Sequence, residues 1–337
     1  MLVSIPYTLF AATLHPGMIS LLMPDPNPEK ILRLGARGSM LSRMQSQWVA
    51  DALEKLHPGL AVELVLIKTT GDQVADRPLH EIGGKGLFTK ELELALLEGR
   101  VDFAVHSFKD VPVTMPLVPQ GNLVFPAVPK REDPCDLLVS AKSRAIMDLP
   151  QGARVGTGSL RRRAQLLSLR PDLDVQMIRG NVDTRLKKLR AGEYDAIVLA
   201  MAGVRRAGLY DEQDMTPIPS DEMIACAGQG ALAIQCRADD APTRMLLAAL
   251  DHPTDHACVD LERQVVTALN GDCHSPIGAW AKIDGDQIEL TAAVGKRDGQ
   301  PPVFRARASA PATDSQTALQ SVIEQLESQG VRQALGE

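Results

Sequence analysis

Lys109 and Asp110 stand side by side at the end of the segment Val101 to Pro112, VDFAVHSFKDVP, an ammonium next to a carboxylate directly after an apolar run. A carboxylate in that setting can stabilise a developing cation and move a proton. The same two side chains could also form a solvated surface ion pair of little energetic weight. Four arginines, Arg161, Arg162, Arg179 and Arg185, fall at predicted strand ends and helix starts. Their planar forks suit carboxylate or phosphate, and helix N-termini add unpaired N–H groups. Between Arg144 and Arg206 there are thirteen Lys and Arg against six Asp and Glu, in a chain whose net charge is −6. An anion site within one basic region is the reading. A nucleic-acid patch is its rival, weakened because Tyr194 is the only aromatic residue of that region.

The elements that must position these groups follow from periodicity. A strand over 31–36, a turn at Gly38-Ser39, an amphipathic helix over 40–56 and a strand over 61–68 make a βαβ unit with a parallel pair. Gly83-Gly84-Lys85-Gly86 reads as a mobile loop carrying one lysine. A helix over 88–98 leads into the strand that ends at Ser107, and the carboxyl end of such a strand is where ligands sit in open α/β sheets. Residues 122–131, punctuated by Pro126 and Pro129, read as an extended linker.

Beyond that linker the same grammar returns: a strand at 154–156, the turn Thr157-Gly158-Ser159, a helix over 160–169. Glu98-Gly99-Arg100-Val101-Asp102 is echoed by Ala191-Gly192-Glu193-Tyr194-Asp195, each before a strand. Two similar α/β lobes facing across a cleft are therefore expected. From about residue 250 the composition changes. A helix over 254–269, a turn carrying Cys273, three strands separated by Asp284-Gly285 and Asp298-Gly299, and a helix over 315–328 predict a small α+β domain with a three-stranded antiparallel sheet.

Bulk properties narrow the class. The chain is 45% hydrophobic and 23% charged, which fits a folded globular protein, and its 3% aromatic content leaves few platforms for stacking bases. No apolar run reaches the roughly 20 residues of a membrane span. Residues 1–29 hold no Lys or Arg and read as a disordered extension, with Met18 or Met23 as alternative starts. Five cysteines without a CxxC pair argue against a disulfide framework and favour a reducing cytoplasm. His252, His256 and Cys258 fit no common metal spacing, so no metal is expected.

Eight collinear segments carry a family resemblance: Arg37-Gly38-Ser39, Gly83-Gly84-Lys85-Gly86-Leu87-Phe88, Val105-His106-Ser107-Phe108-Lys109-Asp110-Val111-Pro112, Arg131-Glu132-Asp133-Pro134, Gly156-Thr157-Gly158-Ser159-Leu160-Arg161-Arg162, Arg179-Gly180-Asn181-Val182, Gly228-Gln229-Gly230, and Gly271-Asp272-Cys273 with Pro276-Ile277-Gly278. On these the chain resembles the porphobilinogen deaminase, or hydroxymethylbilane synthase, family. The resemblance implies a cytoplasmic, monomeric transferase that joins four porphobilinogen molecules head to tail with loss of ammonia and releases the linear tetrapyrrole by hydrolysis. It implies two periplasmic-binding-protein-like lobes, 30–128 with 228–248 and 132–223, and a cofactor-bearing domain over 250–337. The cofactor would be a dipyrromethane in thioether linkage to Cys273. By the same resemblance Asp110 is catalytic, Lys109, Thr157, Ser159, Arg161 and Arg162 hold the cofactor, and Arg37, Ser39, Lys85, Arg179, Arg185 and Arg206 meet substrate. Such chemistry suits the arginines, because a growing chain of acetate- and propionate-bearing rings crowds carboxylates into one cleft. Gly158 stands where the family usually has Ser, and Cys135 where Arg often follows the Glu-Asp-Pro segment. A two-lobed anion-binding protein without catalysis is the alternative; it leaves Cys273 and the third domain unexplained.

Overall fold

The computed structural model describes residues 31–69, 89–113, 122–272 and 274–336. Lys85 and Cys273 lie outside the described residues, as do residues 1–29.

The first lobe begins with β1 (Ile31–Arg37), whose Leu32, Leu34 and Ala36 are fully buried. The Ser39 hydroxyl accepts from Ser42 N at 3.4 Å and so caps α1 (Met40–Leu56), which packs Val49, Ala50 and Leu53 onto the sheet. β2 (Ala61–Ile67), α2 (Lys90–Leu97) and β3 (Phe103–Ser107) follow, and β1 pairs in parallel with both β2 and β3. The predicted linker is in fact a strand, β4 (Leu123–Ala127), at the edge of this sheet. Pro126 is tolerated there because an edge strand can leave one backbone position unbonded.

The second lobe holds β5 (Asp136–Val139), β6 (Arg154–Gly156), α3 (Leu160–Leu169), β7 (Asp174–Gln176), α4 (Val182–Arg190), β8 (Ala196–Ala200), α5 (Met201–Arg206) and β9 (Met215–Pro217). The chain then returns to the first sheet as β10 (Leu232–Arg237), antiparallel to β3 and β4, and continues into α6 (Ala241–Ala248). The sheet orders are β2-β1-β3-β10-β4 and β7-β6-β8-β5-β9, so the lobes share one topology.

A matched clasp explains the sequence echo. In the first lobe Asp102 accepts from Arg33 N (2.8 Å), Nε (3.2 Å) and Nη2 (2.8 Å). In the second, Asp195 accepts from Arg154 N (2.8 Å), Nε (3.2 Å) and Nη2 (3.1 Å). Each aspartate follows a glycine turn of positive φ, Gly99 at 68° and Gly192 at 76°, and each ties two neighbouring parallel strands together.

The third unit packs α7 (Pro253–Ala268) and α8 (Ser315–Ser328) on the antiparallel sheet β11 (Ile277–Asp284), β12 (Gln287–Val294) and β13 (Phe304–Pro311). β11 and β12 form the predicted tight hairpin. The second connection is nine residues long, because Gly299 packs against Leu160 and Arg163 of α3 rather than closing a two-residue turn. No helix among the described residues is long and apolar enough to cross a membrane.

Candidate active site

β3 ends in a single 3-10 turn, Phe108–Asp110. Phe108 is buried, its N–H donates to Ala231 O at 3.0 Å, and Val111 N closes the turn onto Phe108 O at 3.1 Å. With Phe108 anchored in the core, Lys109 and Asp110 are left half-buried at the mouth of a cavity of about 220 Å³. Gly228 lies against the turn with φ of 72°, and a Cβ there would stand 3.2 Å from Lys109 N and from the Phe108 carbonyl carbon. Only glycine lets this crossover pass so close.

The opposite wall comes from the second lobe. Ser159 caps α3, its hydroxyl accepting from Arg162 N at 3.4 Å, and thereby points the first turn of the helix at the cavity. Arg161 Nη1 donates to Asp136 Oδ2 and to Ile224 O, both at 2.7 Å. Arg162 donates from Nε (3.1 Å) and Nη2 (2.8 Å) to Asp136 Oδ1 and from Nη1 to Val198 O (2.8 Å). Gln229 Nε2 adds a fourth bond to Asp136 at 2.8 Å. Burial alone would push the Asp136 carboxyl up, but the charges of Arg161 and Arg162 hold it well below the usual carboxylate range. Both guanidinium groups thus face the cavity as a braced wall. Arg161 Nε is buried with no hydrogen-bond partner among the described residues.

Arg185 completes the cationic side. Its Nε donates to Gly180 O at 2.8 Å, and burial, reinforced by the charges of Arg162 and Arg179, lowers its pKa to about 10 while Asp110 opposes the shift. Arg185 is half-buried and lines the cavity. From the third unit, Asp272 and Ser275, on either side of position 273, line the same cavity.

Of the residues singled out in the sequence, the cavity therefore collects Lys109, Asp110, Ser159, Arg161, Arg162 and Arg185. Thr157 sits behind it, where its Oγ1 accepts from Ser159 N at 3.2 Å and shapes the turn. Ser39 is the corresponding cap of α1, and Arg37 ends β1 with its backbone N–H on Ser42 Oγ at 3.2 Å. Arg179 lies half-buried near Arg185. Arg206 donates to Gly230 O at 2.8 Å, at the crossover between the lobes rather than on the cavity wall.

Three residues escaped the sequence reading, Asp136, Glu262 and Arg263, and Gln229 entered it only within Gly228-Gln229-Gly230. Each has a partner 25 or more positions away, and no local spacing announces their roles. His256, considered as a ligand, is held by Asp251 at 2.8 Å, and no metal-binding group of His, Cys, Asp and Glu occurs among the described residues.

Two α/β lobes of one topology, set around a cavity with arginines on one side and a lysine–aspartate turn on the other, define a two-lobed α/β architecture. Several solved structures are similar to it. The methionine-binding protein MetQ matches with a TM-score of 0.41 at 16% identity, over 67% of this chain and 90% of that one. The BenM effector-binding domain with its effector benzoate matches with a TM-score of 0.40 at 16% identity, over 72% and 94%. The periplasmic aliphatic sulphonate binding protein SsuA from Escherichia coli matches with a TM-score of 0.35 at 17% identity, over 71% and 70%. The family profile described as porphobilinogen deaminase, dipyromethane cofactor binding domain, matches residues 32–245, and that of the porphobilinogen deaminase C-terminal domain matches residues 256–328. The chain belongs to the porphobilinogen deaminase family. It is accordingly a transferase, a hydroxymethylbilane synthase of tetrapyrrole synthesis with a dipyrromethane cofactor.

The cavity fits that cofactor. Besides Asp272 and Ser275, the neighbours of position 273, it is lined by Lys109, Ser159, Arg161 and Arg185. These are the donors that a polycarboxylate requires.

Proposed function

We propose that Asp110 is the catalytic carboxylate of this hydroxymethylbilane synthase and that Cys273 carries the dipyrromethane. The observation behind this reading is that Asp110, Arg185 and the residues flanking position 273 border one cavity, although they come from three separate units. Bound at Cys273, the cofactor supplies the pyrrole carbon to which the first substrate unit is joined. Ser159, Lys109 and Arg161 hold its acid groups, while Thr157 shapes their turn. Arg162 has every nitrogen engaged by Asp136 and Val198, so its part is to brace that wall. Arg185, with Arg37, Ser39, Lys85, Arg179 and Arg206, receives the carboxylates of incoming porphobilinogen.

Asp110 works on the charge that appears when porphobilinogen loses ammonia. A fixed carboxylate beside the ring nitrogens stabilises that cation and can take up and return a proton as the carbon–carbon bond forms. Its neighbours come from a rigid strand end, which keeps the carboxylate in place without reorganisation at the moment of reaction.

The working units are 30–128 with 228–248, 132–223, and 250–337. The enzyme works as a monomer in this reading, and the thiols Cys135, Cys226, Cys236 and Cys258, free among the described residues, suit a reducing cytoplasm. The test is intact-protein mass. The purified chain should exceed its sequence mass by two pyrrole units, and Cys273→Ser should abolish both the increment and porphobilinogen consumption. Active protein at the bare sequence mass would overturn the reading.

A further inference from the structure

Two neighbouring residues of α7 reach opposite sides of the turn that carries Asp110. Glu262 is fully buried. Its carboxylate accepts from Arg131 Nη1 (2.6 Å) and Nη2 (3.0 Å), from Gly228 N (2.8 Å) and from Ala281 N (2.9 Å). Gly228 is the residue that lies against Lys109 N. Arg263 takes the other side: Nη1 donates to Val111 O and Nη2 to Pro112 O, both at 2.8 Å. A longer contact of 3.5 Å runs from Nη1 to Phe108 O, and the guanidinium carbon stands 4.5 Å from the centre of the Phe108 ring. These contacts bracket Asp110 on both sides.

The chemistry of the contacts is informative. Arg263 borders the cavity, each of its terminal nitrogens donates to a main-chain carbonyl, and its face lies over an aromatic ring. A guanidinium can bridge two carbonyls while stacking; a lysine ammonium, a point charge, cannot do both. The same helix ends at Ala268, five positions before Cys273 in the sequence. One element of the third unit therefore contacts the turn that carries Lys109 and Asp110 from both sides, on one of them through Gly228.

We infer that Arg263 is a positioning residue, setting the height and tilt of the Lys109–Asp110 turn relative to the cofactor-bearing unit. This rests on Asp110 being the catalytic carboxylate. A displacement of about 1 Å at such a group can cost up to roughly 100-fold in rate, so the effect belongs in kcat and not in the binding of porphobilinogen.

The experiment uses the full chain with Arg263→Gln and Arg263→Lys, each scored for cofactor content by intact mass before kinetics. Per cofactor-loaded enzyme, Arg263→Gln should lower kcat about tenfold or more with KM within about twofold, and Arg263→Lys should recover part of the loss. In an Asp110→Glu background the Arg263→Gln loss should largely disappear, because both changes misplace the same carboxylate. Should Arg263→Gln fail to fold, Arg263→Lys carries the same cycle. Unchanged kcat, a rise in KM alone, or losses that simply multiply with Asp110→Glu would each overturn the inference. Near-normal turnover in Asp110→Ala would instead remove the reading on which it rests, and the two failures are told apart by that variant.

Discussion

Replacing Asp136 by Asn tests whether the arginine wall is held by one shared carboxylate. The side chain is fully buried and accepts four hydrogen bonds, three of them from Arg161 and Arg162, which are themselves only 3% and 5% exposed. Removing one partner of a buried ion pair costs about 3–5 kcal/mol, since the other charge is left without compensation. Asparagine keeps the shape and one acceptor, so about 3 kcal/mol is the expectation for Asn and about 5 kcal/mol for Ala. At about 2–4 °C per kcal/mol for a unit of this size, the Asn variant should melt roughly 6–12 °C lower in a circular-dichroism scan at pH 7. The pH dependence supplies a second arm. The folded pKa of Asp136 lies below its unfolded value near 4, so its contribution is complete above about pH 5 and is lost as pH falls through the acid range. The gap between wild type and Asp136→Asn should therefore be flat from pH 5 to 8 and narrow below about pH 4. A midpoint within about 2 °C of wild type, or a gap that widens on acidification, would refute the shared-carboxylate account.

Three further outcomes are expected. Asp110→Ala should fold and retain substrate affinity while losing nearly all turnover, since its carboxylate meets a charge present only during reaction; native mass spectrometry should find complexes stalled with one to three added rings. Gly230→Ala places a Cβ 2.2 Å from Glu132 O at φ of 87°, whereas Gly208→Ala, at φ of 63°, meets no atom within 4 Å. The first should lower stability by more than about 3 kcal/mol and the second by about 1–2 kcal/mol, read from urea midpoints. Burial, with the nearby Arg37 charge, lowers the His106 pKa to about 4 against a hydrogen bond to Gln235. The unfolded chain then takes up the proton first, so wild type should lose about 2 kcal/mol between pH 7 and pH 5, and His106→Gln should remove most of that slope.

How much of this was legible in the sequence differs by element. α1, α3 and α8 have the predicted limits because each carries a clear apolar period and starts at a polar cap, Ser39, Ser159 and Asp314. The repeat was visible through its Gly and Asp residues, but not through Arg33 and Arg154, whose clasping role needs the parallel pairing to bring them opposite Asp102 and Asp195. β4 was hidden by Pro126, and β5 and β9 are three or four residues long, too short to show a period. At the site, Lys109 and Asp110 were legible because they follow a strand. Arg161 and Arg162 were legible as cations but not as a pair already braced by Asp136, since their partner lies in a strand, β5, that begins 25 positions before Arg161.

That bracing bears on how an enzyme can present many cations to a polyanion without destabilising itself. Two bare guanidinium groups in adjacent buried positions would repel each other and leave their donors unpaired. With Asp136 between them the group carries a net charge of +1, and its geometry is fixed by a carboxylate, a glutamine and two carbonyls. Arg185 is treated differently: it is half-buried, with Arg162 and Arg179 as cationic neighbours and Asp110 as an opposing charge. The braced pair suits a permanently attached ligand, whose acids need fixed donors. The under-compensated Arg185 suits a transient one, because each arriving carboxylate relieves the repulsion and each departing one restores it. Arg185→Leu should accordingly raise KM for porphobilinogen while leaving the cofactor mass increment intact, and a loss of that increment would move Arg185 to the permanent side of the site.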